Sequence, residues 1–316
     1  MSTKLWDRRS ALRLGALGGL AVGVLGAGAL PASAGPRHFD LGAEARTLYT
    51  GAALSSETIQ QSFAFDPEEG RLFVAQLLAG SPGKAGDLRV TEMDRRGRIR
   101  GWMTLLGYGH AVSFGVHRGR GGLDLWIEGR VNDNGYGTVL KQVPWRHGWT
   151  LDQDDPRAKD HRPVPGAMEY ACAIDHRHGR MAIAYWSGVD KRVAVLPLRE
   201  VLRGDQPDPI ADFARPDGLG TFQGYALDGD ALYTLDGNSY SEDNPVPGNT
   251  YLGRIHWRTG DLVERVHNRT ALDLDFREPE GLAIEYPRHA PPRLYVGFAS
   301  GVVGDRRSNI YYLQRR

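Results

Sequence analysis

The chain has 316 residues, 41% hydrophobic and 24% charged, with a formal charge of +1 and one cysteine, Cys172. A balance this close to neutral excludes an electrostatic trap for nucleic acid, and a lone cysteine excludes an internal disulfide. The apolar content, with no Pro/Gly-rich linker or low-complexity stretch, fits one domain with a large core.

The first element in chain order reads as an export signal over residues 1–34. Arg8 and Arg9 precede an uncharged stretch from Leu14 to Leu30, and Ala32-Ser33-Ala34 supplies a small-x-small cleavage pattern before Gly35. Six glycines between Gly15 and Gly28 make the stretch only moderately apolar, which with the paired arginines favours the twin-arginine route. Seventeen Gly-rich residues are short for a membrane span, so no stable anchor is expected after cleavage. The signal carries a net +3, and its removal takes the formal charge to −2. The expected product is a secreted domain over residues 35–316.

Within that domain one short phrase returns five times, a polar or aromatic residue followed by alternating small and apolar residues. The copies are Gln61 to Phe65, His110 to Phe114, Tyr170 to Ile174, Gln223 to Leu227 and Glu280 to Ile284. Their first positions lie 49, 60, 53 and 57 residues apart, about the length of one four-stranded propeller blade. Small residues let backbones approach around a central axis, while the alternating apolar residues pack between sheets. The pattern predicts an all-β fold, a five-bladed β-propeller with each phrase as an inner strand. A sandwich also alternates strands and turns, but does not require five similar hairpins at this period.

Each phrase runs through an Asp, Gly or Pro turn into a second apolar strand, at Arg71 to Ala75, Leu123 to Ile127, Arg180 to Ala184, Ala231 to Tyr233 and Arg293 to Val296. Third and fourth strands are predicted at Asp87 to Met93 with Ile99 to Leu105, and at Thr138 to Leu140 with Trp149 to Leu151. They recur at Val193 to Leu196, and at Tyr251 to Ile255 with Leu262 to Val266. The fifth unit ends at Asn309 to Leu313 without a fourth strand. Ala45 to Thr50 is expected to supply it, so that the N- and C-terminal strands close the last blade and hide two edges.

Equivalent positions in each blade map to one ring, so Gln61, His110, Tyr170, Gln223 and Glu280 are expected at one mouth of the channel. Gln60, Tyr108, Glu169, Phe222 and Glu278 adjoin them. The ligand-binding candidates are therefore Gln61, Tyr108, His110, Tyr170, Gln223 and Glu280. If the protein is an enzyme, His110 with Tyr170 or Tyr108 forms an acid–base pair and Glu280 assists, as a polysaccharide lyase or a glycoside or phosphodiester hydrolase would need. No Ser-His-Asp order, P-loop or zinc pattern is present, and a glycosidase's second carboxylate is not evident. Cys172 lies in an inner-strand phrase and reads as a buried, inert thiol. No cofactor is expected. The loop Asn132 to Gly137 offers clustered oxygens that could hold calcium, but lacks the length and terminal Glu of an EF-hand. Asp152 to Pro165 and Asp236 to Thr250 read as polar insertions.

The chain also resembles the β-propeller domain shared by staphylococcal phage receptor-binding proteins and proteins labelled teichoic acid biosynthesis protein C. The resemblance rests on Gln61 to Asp66 with Leu72 to Gln76, Gly86-Asp87-Leu88, Gly107-Tyr108-Gly109-His110, Asn134 to Thr138, Gln223-Gly224-Tyr225 and Glu278 to Leu282. It implies a five-bladed propeller. In the phage proteins this domain is a platform of a trimeric device that recognises cell-wall teichoic acid, which implies glycopolymer binding. The resemblance assigns no catalytic residue, and with an export signal in place of stem or tower segments a monomer is expected. The leading reading is an exported propeller that binds a glycopolymer at the channel mouth. An anionic-glycan lyase or hydrolase and a protein-interaction scaffold are the alternatives.

Overall fold

The computed structural model describes residues 38–315, so the expected export signal lies outside the described residues. Strand β1 (Arg46–Ala52) comes first, followed by blade 1 as β2 (Gln60–Phe65), β3 (Leu72–Leu77), β4 (Leu88–Met93) and β5 (Ile99–Leu106). Next come β6 (Gly115–Gly119), β7 (Gly122–Val131), β8 (Gly137–Pro144), β9 (Thr150–Asp152) and β10 (Lys159–His161). Blade 3 contains β11 (Met168–Asp175), β12 (Arg180–Trp186), β13 (Lys191–Pro197), a short helix α1 (Leu198–Arg203) and β14 (Ala211–Ala214). Blade 4 is β15 (Phe222–Asp228), β16 (Ala231–Asp236), β17 (Tyr251–His256) and β18 (Asp261–His267), and blade 5 has β19 (Glu278–Glu285), β20 (Arg293–Val302) and β21 (Asp305–Gln314). These strands make five separate sheets, one per blade. Among the described residues no helix is long and apolar enough to cross a membrane.

Blade 5 is completed by β1, which pairs antiparallel with β21 from Arg46↔Tyr312 to Ala52↔Ser308. The two ends of the chain thereby share one sheet, as expected from the missing fourth strand. Two expectations fail in blade 2. Residues 110–114 are not a strand, and the inner strand is β6, just after them. The Glu128 side chain accepts the backbone N–H groups of His110 and Ala111, and Ala111 has a φ of 60°, so this stretch cannot join a ladder. Trp149 to Leu151 is not the fourth strand of blade 2 either. Its core, β9, pairs parallel with β5 and extends blade 1, while β10, inside the stretch read as an insertion, completes blade 2. Lys141 of β8 is buried and reaches Asp160 of β10 at 2.6 Å, which fixes that choice, since a buried ammonium requires an anionic partner.

The core consists of five apolar clusters, one in each seam between neighbouring blades. Period-2 alternation assigns inner-strand residues to opposite seams: Ala64 packs toward blade 2 and Phe63 and Phe65 toward blade 5, while Ala226 and Tyr225 divide likewise between blades 5 and 3. Cys172 packs between blades 2 and 3 with its thiol on the Trp126 carbonyl at 3.0 Å, and burial pushes it up to about 12. At the lower end, where inner strands finish, every seam carries a polar clamp. Arg118 reaches Asp66, the His117 and His176 rings stack at 5.4 Å, Gly229 N–H donates to Asp175 at 2.9 Å, Tyr286 OH donates to Asp228, and Arg95 reaches Glu285.

Candidate binding groove

At the upper end, where inner strands begin, a β-bulge recurs. The ladder shifts register between Gln60 and Ser62, Met168 and Ala171, Phe222 and Gly224, and Pro279 and Leu282. Gln61, Tyr170, Gln223 and Glu280 are thus residues that slip out of the ladder, and bulges at such positions re-aim side chains. They do not surround an open mouth, because all four are buried. Neighbouring inner strands touch here. A Cβ on Gly224 would sit 2.9 Å from Leu282 N, and one on Gly281 2.8 Å from Ser62 Cα. Ser62 Oγ donates to the Ala111 carbonyl and Ser113 Oγ to the Cys172 carbonyl.

The individual candidates have local partners. Gln223 Nε2 donates to Gly237 O at 3.0 Å, and the adjoining Gln60 Nε2 donates to Glu280 O at 3.0 Å. Tyr170 OH donates to Val164 O at 3.0 Å, and burial pushes this phenol up to about 12. Tyr108 is fully buried beneath Lys141, whose Nζ lies 5.6 Å from its ring centroid. His110 is half-buried and held below its ordinary value by burial, and its ring meets Tyr136 at 5.3 Å. Burial, then the charge of Glu278, raises Glu280 well above the carboxylate range. His110 is therefore set against Tyr136, while the hydroxyl of Tyr170 faces a carbonyl. Asn132 Oδ1 accepts N–H groups from Asn134 and Tyr136, closing its own turn.

At this end a groove of about 320 Å³ opens at the seam between blades 3 and 4. Tyr170, Glu169 and Trp186 of blade 3 and Phe222 and Tyr225 of blade 4 form walls and floor. Lys191, Arg192 and Arg215 line one part, and Glu128 and Glu169 another. Arg192 is paired with Asp190 and Asp212, whereas Lys191 is exposed. Arg215 donates one bond to Gly220 O at 2.7 Å, and its guanidinium lies beside the buried Tyr225 hydroxyl, whose pKa burial raises against the smaller lowering by the Arg215 charge and hydrogen bond.

Glu128 anchors the groove from the blade 2 side. Its carboxyl accepts N–H groups from His110, Ala111 and Gly137, so the two family-like stretches 107–110 and 134–138 meet on it. Burial pushes it up to about 7, against the pull of those three donors and with help from Glu169. The periodicity argument overlooked Glu128, although a carboxylate directly after the apolar run Leu125-Trp126-Ile127 is a signal that a buried partner awaits it. Trp186, Lys191 and Arg215 lie outside the repeated phrase, and nothing in its spacing points to them.

Comparison with known proteins agrees with the five-bladed fold. Residues 59–312 match the family described as the phage 5-bladed beta propeller receptor binding platform domain. A Bacillus subtilis (strain 168) protein that bears the provisional name major teichoic acid biosynthesis protein C is 26% identical over 278 residues, covering 84% of this chain and 61% of that protein. The tail fiber of Staphylococcus aureus phage P68 superposes with a TM-score of 0.71 at 19% identity, over 86% of this chain and 53% of the fiber chain. The chain thus spans a little over half the length of these relatives, and the structural likeness concerns the fold alone. With four-fifths of its length matched by the family model, the chain belongs to the phage five-bladed β-propeller receptor-binding platform family.

Proposed function

We propose that the protein is exported through its N-terminal leader and, as a monomer, binds an anionic cell-surface glycopolymer of the teichoic-acid type in the groove between blades 3 and 4. The observation that carries this reading is the pairing of aromatic walls, Trp186 and Phe222, with the cations Lys191 and Arg215 in one groove. Aromatic faces suit the C–H surfaces of sugars, and the cations suit phosphate or carboxylate groups along a polymer. Membership of a receptor-binding platform family and the teichoic acid name of one relative support the same ligand class. An acid–base role is less well supported, because His110 and the hydroxyl of Tyr170 have separate partners.

Retention on immobilised poly(glycerol phosphate) wall teichoic acid tests the proposal. Trp186→Ala and the double variant Lys191→Ala/Arg215→Gln are each expected to lower affinity about tenfold. The wild-type interaction should weaken as salt rises. Equal retention of both variants would rule the groove out, and release of phosphomonoesters or reducing ends would favour the enzyme reading.

A further inference from the structure

We infer that the lower end of the central channel is a second binding site, for a small amphipathic carboxylate whose apolar body enters the channel and whose head meets Arg177. The cavity measures about 340 Å³ and receives residues from all five inner strands or the turns beside them. Its walls are largely apolar, with Phe63, Phe65, Phe114, Ile174, Leu227 and Ile284 among the residues lining it. At about 30 Å³ per group the size of a water molecule, that space suits roughly eleven heavy atoms. A pocket of this size with apolar walls and few polar groups at its mouth is the usual form of a small-molecule site.

The rim decides the sign of the head group. Asp66 is held by Arg71 and Arg118, and Glu285 by Arg95 and Tyr295, so both carboxylates are already neutralised. Tyr286 donates to Asp228, and His176 Nε2 bonds the Val116 carbonyl at 2.8 Å. Arg177 is exposed, and among the described residues it has no ion pair. Its guanidinium meets only the Tyr286 ring, 5.4 Å from the centroid. An apolar shaft beneath an unneutralised guanidinium favours a monoanion over a neutral or cationic amphiphile. The Arg177 rim of this site lies at the lower end, whereas the proposed glycopolymer groove lies at the upper end; Tyr225 lines both cavities, but this site does not rest on that reading.

Decanoate is a suitable probe, with decanol as the uncharged control, titrated calorimetrically into the full-length chain. One decanoate is expected to bind per chain, about tenfold more tightly than decanol. Arg177→Gln should bring decanoate down to the decanol value while leaving teichoic acid retention unchanged, so the two sites fail separately. Ile284→Trp should block both probes, and Ile284→Phe serves as the milder plug if the larger side chain prevents folding. No decanoate binding by the wild type, unchanged affinity in Arg177→Gln, or unchanged affinity in a folded Ile284 variant would overturn the inference.

Discussion

The stacked rings of His117 and His176 form the clamp between blades 2 and 3, 5.4 Å apart and inclined by 17°. Burial holds both imidazoles below their ordinary value, and His176 lowers His117 further. Asp124 and Glu68 pull His117 the other way, as do the Val116 carbonyl, Asp175, Asp66 and Glu68 for His176. In the unfolded chain each ring takes up a proton near pH 6.5, whereas in the folded seam it takes one up only at lower pH. Their contribution to stability is therefore present above about pH 6.5 and is lost as pH falls through the depressed values. Relative to the wild type, His176→Gln, which keeps an N–H donor for Val116, should gain melting temperature as pH falls from 7.5 to 5.5. An identical pH dependence in the variant would remove this pair from the account. Glu128 and Glu280 titrate in the opposite sense, but do so equally in both proteins.

Among the elements, the bulged starts of the inner strands bring the blades into contact. Gly281 has a φ of 90° and faces Ser62 and Phe63 so closely that any side chain must displace backbone. Gly281→Ala is expected to cost about 2 kcal/mol or more through strain and overlap. A chemical denaturation midpoint that does not fall would contradict that packing. The small residue in this phrase was legible in the sequence as a place of close approach, and the inner strands of blades 1, 3, 4 and 5 follow from the same alternation. Blade 2 was not legible in that way, because a side chain 18 residues away, Glu128, takes the N–H of His110 that a strand would need. The identities of β9 and β10 were hidden for a similar reason. Their pairing is decided by the Lys141–Asp160 contact and by register with blade 1, neither of which leaves a periodic trace.

For the whole molecule, ring closure by β1 and β21 covers the edge of the C-terminal strand and ties both ends of the chain into one sheet. The polar clamps at the lower end and the strand contacts at the upper end join the blades, and the groove opens between blades 3 and 4 at the upper end. Of the five ring positions, Tyr170, with its neighbour Glu169, lines that groove. They could not locate the cations, because Lys191 and Arg215 stand at the edges of β13 and β14, remote from the repeated phrase. The most direct measurement is amide hydrogen exchange of the full-length chain with and without teichoic acid. Slowed exchange in residues 169–171, 184–192 and 215–225, with little change at the lower rim, is the predicted result. Protection confined to another face, or none at saturating polymer, would contradict the placement of glycopolymer between blades 3 and 4.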